Sequence, residues 1–106
     1  MAKYLIRGQY SPEGVRGLQK DKASGRVGAV TAAVESLGGK IECLYFALGE
    51  DDMYGIVDFP DTITAIALGI AVSATGVGRI RTTALLTVAE VDQALAKSVS
   101  YRPPGH

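Results

Sequence analysis

No charged residue stands between Asp61 and Arg79, and that gap limits the possible folds more than any other feature of the chain. Asp61 can cap a helix over residues 62–75, because a short acidic side chain accepts from the free N–H groups of a first turn. Gly76 and Gly78 end it. Within this span Ile63, Ala65, Ile66, Leu68, Ile70 and Val72 point in every direction around the axis. A helix on a protein surface needs a polar face, so one without it is expected to be covered on more than one side. The run is about fifteen residues long and holds Thr64, Gly69, Ser73 and Gly76, which leaves it short of the roughly 20 apolar residues that span a bilayer. It therefore reads as a packed helix, and no membrane partner is expected.

A chain of 106 residues forms one domain with a thin core. Eleven Lys and Arg balance eleven Asp and Glu, with no block of like charge. Nucleic acid selects a basic face, so it is not an expected partner. A net charge of zero also gives little protection against association. A chain with 47% hydrophobic residues and no charge surplus is expected to bury the excess in an oligomer. Cys43 is the single cysteine and excludes an intrachain disulfide, which fits a reducing compartment. The N-terminus lacks an apolar run of signal-peptide length. A cytoplasmic location is the resulting expectation.

Elsewhere the pattern is legible piece by piece. Residues 3–10 read as a strand, followed by Ser11-Pro12 as cap and first helical residue. Gly14 and Gly17 make 12–20 a weak helix or turn. Val27, Val30, Val34 and Leu37 fall on one face of a helix over 22–37, and Gly38-Gly39 close it. Residues 40–48 form a strand that is apolar on both parities, and Gly49-Glu50-Asp51-Asp52 turn it into a hairpin with 53–59. After the uncharged helix come a strand over 79–87 and a helix over 88–99. Thr87 and Glu90 open that helix as a capping box, and Val88, Val91, Leu95 and Val99 stripe it. The expected domain covers residues 1–99, with a Pro-rich tail over 100–106. The order is β-α-β-β-α-β with a last helix. That is the ferredoxin-like α+β pattern: a four-stranded antiparallel sheet with its two main helices on one face.

Four segments resemble the GYD-domain family, small bacterial proteins named for a Gly-Tyr-Asp motif. They are Leu37-Gly38-Gly39-Lys40-Ile41, Gly49-Glu50-Asp51-Asp52, Phe59-Pro60-Asp61 and Arg81-Thr82-Thr83-Ala84-Leu85. The tail Tyr101-Arg102-Pro103-Pro104-Gly105 is similar as well. The motif's Tyr is replaced by Asp51 here, between matching Gly49 and Asp52. The resemblance implies a ferredoxin-like fold of the kind that pairs into α+β barrels. It implies no reaction, since the family's biochemical role is undefined. The motif positions carried over are Gly49, Asp51, Asp52, Pro60, Asp61, Arg81, Thr82 and Thr83.

The candidate chemistry lies on the strands. Side chains alternate, so Arg7 and Gln9 share one strand face, Tyr54 and Asp58 another, and Arg79, Arg81 and Thr83 a third. If all three meet on the helix-free face, they can line a cavity closed by a second subunit. Arg would pair a small anionic ligand through its planar fork, and Tyr or Asp could move a proton. The plainer account is that these groups form ion pairs across an oligomer interface. Gly76-Val77-Gly78 reads as a turn, because a dinucleotide fingerprint needs G-x-G-x-x-G between strand and helix. Glu50, Asp51 and Asp52 read as a solvated acidic turn, with weak Mg²⁺ or Ca²⁺ binding the alternative. Cys43 reads as a buried structural residue, and the tyrosines as packing groups. No metal centre and no cofactor are expected.

Two functions follow from different classes. One is a homo-oligomer, a dimer or larger, that binds a small anionic metabolite or assembles with other proteins. The other is a cofactor-independent enzyme of the α+β-barrel type, an isomerase or monooxygenase with its pocket on the helix-free sheet face. Whether the protein is an enzyme is left open between them. On either account Arg81→Ala weakens ligand binding or assembly more than Lys97→Ala, as native mass spectrometry of both variants would show.

Overall fold

The computed structural model describes all residues, 1–106. Its elements are β1 (Ala2–Tyr10), α1 (Pro12–Ser36), β2 (Lys40–Phe46), β3 (Met53–Phe59), α2 (Thr62–Ala74), β4 (Gly78–Leu85) and α3 (Val88–Leu95). The strands form one antiparallel sheet in the order β2-β3-β1-β4. The element order and this sheet make the ferredoxin-like α+β fold expected from the pattern.

Alternation along the strands divides the sheet into two faces. Tyr4 and Ile6 of β1 and Val57 and Phe59 of β3 point to the helix side, where they are buried with Val34 of α1 and Ala65 and Leu68 of α2. The Tyr4 and Phe59 rings tilt against each other with centroids 6.2 Å apart. The Tyr4 hydroxyl leaves the core to meet Thr62 Oγ1 at 2.9 Å, so a buried phenol keeps a partner. The core is thin. Gly14 and Val34 are the buried residues of α1. A cavity of about 110 Å³ remains between the helices and the sheet, over Gly8 and Gly55, which supply no side chain to fill it.

The helix starts follow the capping rules. Ser11 accepts from Gly14 N–H at 3.1 Å, with Pro12 at the first helical position. Asp61 accepts from both the backbone N–H and the hydroxyl of Thr64, at 2.8 and 2.7 Å. Thr87 and Glu90 complete a reciprocal capping box. Gly38 takes φ 75° after α1, the left-handed closure that glycine permits.

Several boundaries differ from the expected ones. The segments expected at 12–20 and 22–37 form one span that breaks at Lys22, whose φ of 65° is non-helical. Val27, at the start of the expected stripe, is exposed. Strand β2 ends at Phe46 instead of 48, leaving Leu48 fully exposed in the hairpin loop. Its two apolar parities have a geometric cause. The register slips between Ile41 and Cys43, so Ile41 opposes Val57 and Leu44 opposes Gly55, both on the helix side. Cys43 and Tyr45 are left facing the other way, opposite Ile56 and Tyr54. Strand β4 closes at Leu85 instead of Thr87, and α3 at Leu95 instead of 99. Helix α2 is covered within the chain on one face alone: Ala65 and Leu68 are buried, while Ile63, Ile66 and Ile70 are 81%, 50% and 64% exposed.

The start of α1 is seated on the turn before β4. Ser11 N–H donates to the Val77 carbonyl at 3.1 Å and Ser11 Oγ donates to the Gly76 carbonyl at 2.7 Å. At Gly14 a Cβ would stand 1.8 Å from the Val77 oxygen, so only glycine fits. Gly28, also in α1, faces open space. Urea unfolding is expected to separate the two: Gly14→Ala destabilises by about 1–3 kcal/mol through the clash, while Gly28→Ala stabilises by about 1 kcal/mol through helix propensity.

Candidate functional site on the helix-free sheet face

With Tyr4 and Ile6 in the core, Lys3, Leu5, Arg7 and Gln9 stand on the opposite face of β1. The register assembles the rest of the site. Arg7 lies between Tyr54 of β3 and Arg81 of β4, and Gln9 is opposite Arg79. Five of the six candidate ligand residues therefore share one end of the sheet. Asp58, the sixth, is opposite Lys3, four residues along β1 from Arg7. Lys3 Nζ donates to both Asp58 and Glu42, each at 3.0 Å, and these contacts raise its pKa above the ordinary lysine value, Asp58 contributing most. Leu5, Ile56 and Thr83 separate the two charged ends.

The arginine end is organised by the hairpin loop between β2 and β3. Ala47 N–H donates to the Asp52 carbonyl, and Asp52 N–H to the Gly8 carbonyl, both at 2.8 Å, so the loop bends back over the end of β1. The Asp52 carboxylate also accepts from Tyr10 N–H at 2.8 Å. That places the Asp51 side chain, which is 1% exposed, beneath Arg81. Arg81 Nη2 donates to both Asp51 carboxylate oxygens, at 2.5 and 2.7 Å. The Tyr54 hydroxyl reaches the same carboxylate at a long 3.5 Å. The Arg81 hydrogen bond holds the Asp51 carboxyl below its ordinary value against the opposing effect of burial, and the charges of Arg81 and Arg7 act in the same direction. The Arg81 guanidinium is correspondingly raised, chiefly by Asp51.

This corrects the solvated acidic turn. Of its three acids Glu50 is exposed, Asp52 is half-buried on a backbone amide, and Asp51 is a buried ion-pair partner. The link between Asp51 and Arg81 had no sequence signal, because the two are thirty residues apart and meet only through the sheet register. Cys43 is half-buried on the helix-free face and not a core residue. Tyr4 packs as expected, whereas Tyr45 is 70% exposed. Of the other motif positions, Asp61 caps α2, Thr83 lies on the site face, and Thr82 lies on the helix side beside α2.

Only one of the three arginines at this end is in an ion pair. Arg7 has its Nε buried and without a hydrogen-bond partner. Arg79 is exposed and forms no ion pair, as Asp51 is taken by Arg81. A shallow groove runs between Gln9, Glu50, Arg79 and Arg81.

The four-stranded antiparallel sheet with its two main helices on one face defines a class: ferredoxin-like α+β domains. Within that class the chain belongs to the GYD domain family, whose model matches residues 4–95. Neither the comparison with curated proteins nor that with solved structures gave a match. The family is one of undefined function. No helix of the chain is long and apolar enough to cross a membrane.

The ion pair has a pH signature. A carboxyl with a lowered folded pKa contributes stability that is complete above its unfolded value and is lost as pH falls through the folded one. For Asp51 that window lies below about pH 4, and the carboxyls of Asp61 and Glu90 are lowered as well, by Thr64 and Thr87. Thermal unfolding from pH 7 to pH 3 is expected to show Asp51→Asn less stable than wild type at pH 7. The variant should also lose less of its stability on acidification.

Proposed function

We propose that the protein is a homo-oligomer that holds a small anion on its helix-free sheet face, between the arginine end of one subunit and the covering surface of another. One observation carries this reading: of the three guanidinium groups at that end only Arg81 is ion-paired, leaving Arg79 without a carboxylate partner and the Arg7 Nε–H buried without an acceptor. A buried donor without a partner is costly, and a carboxylate or phosphate oxygen supplies what is missing with favourable charge. Gln9 and the Tyr54 hydroxyl add neutral donors beside the arginines. The apolar strip of Leu5 and Ile56 gives a second subunit something to cover.

Binding is favoured over proton-transfer catalysis by the state of the acid. Asp51 is held ionised by Arg81, and a carboxylate kept below its ordinary pKa is a poor proton acceptor near neutral pH. The groove beside it is open and shallow, where a catalytic pocket excludes water. The role is therefore that of a small anion-binding assembly, of cytoplasmic type.

Native mass spectrometry of the protein isolated from its own host would report subunit number and any retained ligand together. With inorganic phosphate and citrate as probes, Arg79→Ala is expected to weaken adduct formation about tenfold, the worth of one charged hydrogen bond. Arg16→Ala, on the exposed surface of α1, should leave it unchanged. Equal binding by both variants would refute the site.

A further inference from the structure

The chain is too open for its size. A folded monomer of 11.1 kDa exposes about 5,700 Å² by the usual area scaling, whereas this one exposes 7407 Å². Its radius of gyration is 17.0 Å, against about 13 Å for a compact domain of this length. Its long axis measures 57 Å. The surplus of about 1,700 Å² exceeds the roughly 800 Å² per partner that a stable specific interface buries.

Much of the apolar part of that surplus sits on two features. The first is the C-terminal arm. Every residue of α3 is exposed. Its stripe of Val88, Val91, Leu95 and the following Val99 is 82%, 40%, 77% and 80% exposed. The helix is nonetheless well built, with a complete capping box at Thr87 and Glu90. The second is a groove along α2 at the β4 edge of the sheet, lined by Ile66, Ile70, Ala74, Ile80 and Thr82. It contains no charge, and its α2 residues Ile66 and Ile70 are exposed.

We propose that α3 of one subunit lies in the α2–β4 groove of a second copy, and that the second copy's α3 returns the contact. The inference rests on the oligomeric reading above and adds to it a second contact, on the helix side of the sheet. An amphipathic helix with anchors at i, i+3 and i+7 fits an apolar groove, and α3 presents Val88, Val91 and Leu95 at that spacing. One chain carries one arm and one groove, so a two-fold dimer satisfies both without remainder. The occupant is another copy of this chain because the two uncovered apolar surfaces occur in equal number on it. The groove lies on the helix side of the sheet, at its β4 edge.

Cross-linking tests this in a Cys43→Ser background. Leu95→Cys and Ile66→Cys chains are purified separately, mixed and oxidised. A covalent dimer is expected in the mixture and in neither chain alone. The double variant, oxidised when dilute, should not close on itself; an intrachain link there would place the arm in its own groove and overturn the exchange. Absence of any link, with light scattering still reporting a dimer, would overturn the arm contact and leave the sheet-face reading intact. A monomer at all concentrations would overturn both. Independently, Val91→Asp with Leu95→Asp is expected to raise the dimer dissociation constant at least about 100-fold. The far-UV spectrum should be unchanged, since neither residue is in the chain's own core. An unchanged dissociation constant would refute the proposal.

Discussion

Strand β1 is apolar on one side and charged on the other, and the rest of the structure is arranged around that division. It lies between β3 and β4, so each of its residues sets a row across the sheet. Tyr4 and Ile6 draw Val57, Phe59, Val34 and Leu68 into a core on one side. Arg7 and Gln9 draw Tyr54, Arg79 and Arg81 together on the other. A shift of one residue in either pairing would place the arginines in the core, a cost no neighbouring group could offset. The same pairing that builds the hydrophobic layer therefore gathers the cations on the bare face.

The Asp51–Arg81 pair connects that face to the hairpin loop. Asp51 is buried while Arg81 remains nearly half exposed, so the carboxylate is desolvated and depends on the guanidinium. Asp52 ties the loop to the end of β1 through Tyr10 and Gly8. Asp51 takes up one of the three arginines at this end of the sheet. Arg7 and Arg79 form no ion pair within the chain, and the proposed anion site rests on these two residues.

The helix layer is as incomplete as the sheet face. Helix α1 is a long element held through few residues, with a break at Lys22 and a cavity beneath it. Helix α2 is apolar all round and half covered. Helix α3 is amphipathic and uncovered. These are not separate oddities: a chain of this length has a thin core, and surfaces left bare within one copy can be covered by a second.

Much of this was legible in local sequence. The caps at Ser11, Asp61 and Thr87, the Gly38 closure, the strand parities of β1, β3 and β4 and the uncharged helix all depend on residues a few positions apart. Their chemistry is complete within a turn or a strand. Asp61 caps α2 because Thr64 is three residues on, and nothing distant is required. Tertiary structure alone decided which side of β2 faces inward, because a register slip at the bulge reverses the parity after Ile41. It alone decided that Asp51 is buried under Arg81, because that contact requires the loop to fold back over β1 and β4 to bring residue 81 alongside. It also decided that the apolar stripe of α3 is exposed, since periodicity shows which face of a helix is apolar but not what is close enough to cover it.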